Sequence, residues 1–180
     1  MTARQRALVR ELAPQERLQP ALLDRLTDDE PDKQVEGPDK RVLTKTQLRQ
    51  AVLRDLVWLL NTTRLESSED LSSTPSVQRS VLNFGLPALA GETASALDPT
   101  ELERGVREAI LAFEPRILPA SLRVQAVMSE TQLDHHNVIS VEIEGQLWAQ
   151  PVPLELLLRT EVDLETGEVE ITELSRSGVT

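Results

Sequence analysis

Glu114 and Arg116 are separated by a single proline at the foot of an apolar helix pattern, the most constrained acid–base pair in the chain. Pro115 fixes its own φ and biases Glu114 away from the α region, so both charged groups leave the helix at set angles. Two readings follow. In one, they form a helix-end ion pair or two solvated charges that bracket a stop-proline. In the other, the planar fork of Arg116 is held for a carboxylate or carbonyl cluster of a partner, and Arg116→Ala is expected to leave the isolated fold nearly intact, within about 0–1 kcal/mol, yet abolish assembly. Spacing alone does not choose between them.

Other chemistry finds little support. The only two histidines are adjacent, His135-His136, at the entry to a strand pattern. Neighbouring strand residues point to opposite faces, and no cysteine or spaced third ligand accompanies them, so no metal site is expected. A serine–histidine pair lacks a nucleophile elbow, and no phosphate loop or dinucleotide fingerprint is present. Among 30 acidic residues, carboxylate pairs are inevitable. A glycoside-cleaving pair would also need a sugar cleft, and a chain with no Tyr, two Phe and two Trp has few rings to line one. No catalytic residue and no cofactor is expected.

Charge narrows the partners. Residues 1–60 carry 11 basic and 10 acidic side chains, whereas 61–180 carry 8 and 20, and the whole chain has a net charge of −11. Every cation after Lys45 is an arginine, the better former of fixed bidentate contacts. An acidic body argues against nucleic acid and anionic membrane as partners. The absence of cysteine makes a reducing compartment the simplest home. The most apolar run, 51–60, is broken by Arg54 and Asp55 and is too short to span a bilayer. The chain therefore reads as soluble and cytoplasmic, without membrane insertion.

These residues need elements to position them. Residues 1–41 read as an arm and linker, with helical turns over 3–12 and around Leu18, Leu22, Leu23 and Leu26; 42–174 read as one domain, and 175–180 as a tail. Thr44 and Gln47 have capping-box spacing, opening a helix whose Leu48, Val52, Leu56 and Leu59 face one way. Leu53, Val57 and Leu60 widen that stripe. Thr74-Pro75 starts another helix, with Val77, Val81 and Leu82 inward and Gly85 at its left-handed end. Asp98, Pro99 and Glu101 then cap a helix that carries Leu102, Val106, Ala109, Ile110 and Phe113 on one face and stops before Pro115. From Leu122 the period becomes two: Val124, Ala126 and Met128, then Val141, Ile143 and Leu147 against Glu142 and Glu144. Pro151 and Pro153 break the ladder, 154–164 resumes it, and Glu165-Thr166-Gly167-Glu168 turns it back. N-terminal helices followed by an antiparallel meander packed on them define an α+β fold. The edges of such a sheet could accept a strand from another chain.

Four stretches then align with a known pattern: Pro20-Ala21-Leu22-Leu23-Asp24-Arg25-Leu26-Thr27-Asp28-Asp29, Ser80-Val81-Leu82-Asn83-Phe84-Gly85-Leu86-Pro87, Phe113-Glu114-Pro115-Arg116 and Glu144-Gly145-Gln146-Leu147-Trp148. In this order the chain resembles the TssE family, the small baseplate subunits of bacterial type VI secretion systems, related to a wedge protein of contractile phage tails. The resemblance implies a non-enzymatic assembly part, despite a lysozyme-like label attached to such proteins. It implies that Glu114, Pro115 and Arg116 join the wedge formed by TssF and TssG. It also implies that the strand region starts the TssB–TssC sheath by strand exchange, with TssK a further partner through the baseplate. The expected location is a cytoplasmic baseplate docked at the inner membrane. Two alternatives stand beside it: a binding-only regulatory anti-adaptor of the same fold, and a muramidase.

Overall fold

A computed structural model describes residues 22–26, 32, 43–91, 97–127, 137–149 and 152–174. The expected helix over 3–12, the linker after Leu26 apart from Asp32, the histidine pair, Met128 and the tail lie outside the described residues. The chain divides into two units, Met1–Ala51 with Ala149–Pro153, and Val52–Trp148 with Leu154–Thr180.

In the first unit, helix α1 (Leu22–Leu26) leaves Leu22, Leu23 and Leu26 exposed. Helix α2 (Lys45–Leu60) opens on a reciprocal cap: the Thr44 amide donates to Gln47 Oε1 at 2.9 Å, and the Gln47 amide to Thr44 Oγ1 at 3.2 Å. That capping box satisfies two amides with no partner inside the helix.

The second unit holds the rest of α2, helices α3 (Pro75–Gln78) and α4 (Pro99–Phe113), and one four-stranded antiparallel sheet in the order β1-β2-β3-β4. The strands run Arg123–Val127, Val138–Leu147, Leu154–Asp163 and Val169–Glu173. Register sets the inner face, where Ile139, Val141, Ile143 and Gly145 stand opposite Val162, Thr160, Leu158 and Leu156. All eight are buried. Thr160, a hydroxyl in this apolar layer, donates to the Val141 carbonyl at 3.1 Å, so it is not left unsatisfied. β2 and β3 pair without a break from Val138 opposite Asp163 to Leu147 opposite Leu154. The Pro153 segment thus lies in the β2–β3 connection and does not split a strand. Gly167, at φ +77°, closes the next hairpin.

α4 buries Leu102, Val106, Ala109 and Ile110 and packs on β1. Its start differs from expectation. The Asp98 carboxylate accepts from the Thr100 amide, while Glu101 reaches forward to Arg104 at 3.2 Å, so no reciprocal box forms. The third helix differs more. α3 stops at Gln78, Ser80 Oγ accepts from the Leu82 amide, and the 3₁₀ turn that follows leaves Val81 and Leu82 exposed. The inward residue is Asn83, whose side chain accepts from the Glu66 amide and donates to the Gln78 carbonyl.

Gly85 serves a close approach rather than a helix end. Its φ is +123°, and a Cβ there would lie 2.1 Å from the Thr62 carbonyl oxygen, which accepts from the Leu86 amide at 2.8 Å. Gly85→Ala is expected to cost at least about 2 kcal/mol. Urea unfolding measures it, and a loss below about 0.5 kcal/mol, the range of neutral surface changes, would contradict the geometry.

Candidate functional site

The corner at Glu114-Pro115-Arg116 is built by three elements of the second unit. α4 delivers it: the Glu114 amide still donates to the Ile110 carbonyl at 2.8 Å, but its ψ of 76° ends the helix ahead of the proline. β2 receives it. The Trp148 amide donates to the Arg116 carbonyl at 2.7 Å and the Leu118 amide to the Gln146 carbonyl at 2.8 Å, with Ile117 bridging antiparallel to Leu147. Gly145 permits this approach, because a Cβ there would meet Ile117 Cγ2 at 3.2 Å. α2 braces the corner from the side, through Asp55.

The guanidinium of Arg116 grips two carboxylates. Its Nε and Nη2 donate to Glu114 Oε1 and Oε2 at 2.7 and 2.5 Å, a bidentate fork, and Nη2 also reaches Asp55 Oδ2 at 2.5 Å. The Arg116 amide adds a fourth bond to Glu114 Oε1 at 3.1 Å. Arg54 holds the other oxygen of Asp55 at 2.9 Å and lies 5.3 Å from the Trp58 ring centroid. Burial works against the Arg116 charge. The hydrogen bonds and charge of Glu114, and then of Asp55, more than offset it and hold the pKa above the ordinary arginine value. The two acids, Glu114 and Asp55, and the two bases, Arg116 and Arg54, together carry no net charge.

This geometry revises the expectation of a surface pair. Glu114 is 3% exposed and Arg116 19%, so the pair is a buried one whose rupture leaves a charge without its partner. Pro115 alone of the three is exposed. Along the sequence Arg54 and Asp55 read as interruptions of an apolar run; charges inside the most apolar stretch are the available signal. Nothing in the sequence chemistry assigns a role to the two tryptophans. Trp58 and Trp148 are about half exposed, one stacked on Arg54 and the other bonded to Arg116.

The sheet edges carry clamps of their own. The Asn61 side chain donates to the Val169 carbonyl and accepts from its amide, both at 2.9 Å, at the outer side of β4. At the outer side of β1, Glu103 Oε1 accepts from the Ala126 amide at 2.8 Å. Side chains that take up edge amides oppose unwanted pairing. Antiparallel alternation leaves Ile171 as the next β4 residue turned outward, because Leu174 bonds inward to Leu157 and Asp163 to Glu168.

The fold and the corner define an α+β scaffold domain in which the buried Glu114 carboxylate is held by Arg116. Among the described residues, no group of three or more His, Cys, Asp or Glu is placed to hold a metal ion, and no helix is long and apolar enough to cross a membrane. The sequence model for the baseplate wedge protein gp25 family matches residues 46–152, a stretch that includes Asp55, the corner and β2. The chain belongs to the gp25 family of baseplate wedge proteins, and its role is a structural one in a baseplate. No curated protein and no solved structure matches it.

Proposed function

We propose that this chain is a non-enzymatic subunit of a type VI secretion baseplate, joining a TssF–TssG wedge to the TssB–TssC sheath and helping the sheath begin. The observation that carries this reading is the family match across the braced corner, Glu114-Pro115-Arg116. A proline-fixed turn gripped by α2, α4 and β2 keeps its shape when a partner docks, so little ordering cost falls on binding. A muramidase that used Glu114 as its acid finds little support, because both oxygens of Glu114 accept from Arg116 and the side chain is buried. The assembly would stand in the cytoplasm at the inner membrane, with TssK reached through the baseplate.

In this reading the sheath adds its strand at β4 beyond the Asn61 clamp. Ile171→Pro removes an outward donor without touching the β3 ladder, a substitution tolerated on edge strands. It is expected to unfold cooperatively like the parent yet fail to seed TssB–TssC polymerisation, followed by electron microscopy. Normal seeding by that variant would rule out this edge. The wedge half of the proposal is checked by mixing the purified chain with TssF and TssG: co-elution is expected, and separate elution contradicts it.

A further inference from the structure

The corner's guanidinium is already occupied, so recognition must lie beside it. Resting on the wedge-docking reading above, we infer that the partner-facing surface is the tryptophan pair Trp58 and Trp148, with Arg116 as the brace that positions both. Its occupant is an apolar, uncharged patch on the wedge protein.

Three observations carry this. Trp58 and Trp148 are the chain's only tryptophans, there is no tyrosine, and the two phenylalanines pack on each other at 5.1 Å in an edge-to-face contact. The aromatic surface is therefore concentrated at these two positions, 51% and 47% exposed, and tryptophan is the side chain most enriched at the energetic centres of interfaces. Both connect to the same cluster, Trp58 through Arg54 and Asp55, and Trp148 through its amide to the Arg116 carbonyl. Val57, also exposed, lies beside Trp58 on α2.

Charge chooses the occupant. Glu114, Asp55, Arg54 and Arg116 neutralise one another, and the remaining Arg116 nitrogen, Nη1, is buried without a partner and shielded from an incoming group. A charged partner group placed here would lose its water and gain no counter-ion, which costs affinity. A lipid surface is the other home for exposed tryptophans, but a chain of net charge −11 is repelled by an anionic leaflet.

The test uses the full-length chain and a purified TssF–TssG complex. Trp58→Ala and Trp148→Ala are each expected to weaken binding at least about tenfold while leaving the melting temperature unchanged. Wild-type affinity is expected to stay nearly flat between about 50 mM and about 500 mM NaCl, because no exposed ion pair forms. Emission of the two indoles is expected to shift to the blue on complex formation. Wild-type affinity in both variants, or a steep fall with salt, would overturn the inference while leaving wedge docking standing. A blue shift on anionic vesicles without wedge protein would overturn it in favour of a membrane. Failure of the unmodified chain to bind the wedge at all would overturn the function reading and this inference with it.

Discussion

Ile110→Asp abolishes the cooperative unfolding transition. Ile110 is fully buried, on the inner face of α4, one turn before the corner. A carboxylate there has no described cation beside it and cannot reach water, a penalty of several kcal/mol set against a total stability of about 5–15 kcal/mol. Because α4 also ends in Glu114, losing the helix removes the corner along with the core. Ile110→Val is the graded control, expected to cost about 0.5–1.5 kcal/mol and to keep the fold. Thermal melts by circular dichroism separate the two. A native-like melt for the aspartate variant would mean that this face of α4 does not line the core.

Arg116→Ala is the second large effect, and its sign of interest is stability as much as binding. The substitution strips a buried carboxylate of its bidentate fork and leaves Asp55 with only Arg54. Removing one partner of a buried pair costs about 3–5 kcal/mol, well beyond the value of a surface pair. Adding Glu114→Gln to the alanine variant is expected to recover part of that loss, since a neutral amide is cheaper to bury than a lone charge. Chemical denaturation of the single and double variants measures the coupling. A loss under about 1 kcal/mol for Arg116→Ala would place the pair back among surface contacts. The consequence for binding studies is direct: an alanine at this position tests the brace and the docking together, whereas the exposed tryptophans test docking alone.

Elements defined by local chemistry were readable from the chain. Helix α4 was bounded correctly because its cap, its first proline and its stopping proline all act within a few residues, and the hairpin at Gly167 likewise. The meander followed from a period of two. What escaped was non-local. Asp55 and Arg116 lie 61 residues apart, so nothing in either neighbourhood announces their contact. Burial of Glu114 escaped for the same reason, since a carboxylate after a helix reads as solvated until its guanidinium and covering residues are in place. The inward assignment of Val81 and Leu82 failed because periodicity was extended past Gln78, where Ser80 captures a backbone amide and restarts the chain as a 3₁₀ turn. Gly85 was read as a helix end, whereas its lack of a side chain serves the Thr62 carbonyl, a contact between two loops.

In the proposed function, the braced corner is where a baseplate partner docks. A photo-crosslinking amino acid at Ala112, an exposed position in the last turn of α4 two residues before Glu114, tests it without disturbing the charge cluster. Covalent capture of TssF or TssG is expected from that position in assembled baseplates, and capture of neither from the same probe at exposed Glu170 on β4, the proposed sheath edge. Capture of TssF or TssG from Glu170 with silence at Ala112 would contradict docking at the corner.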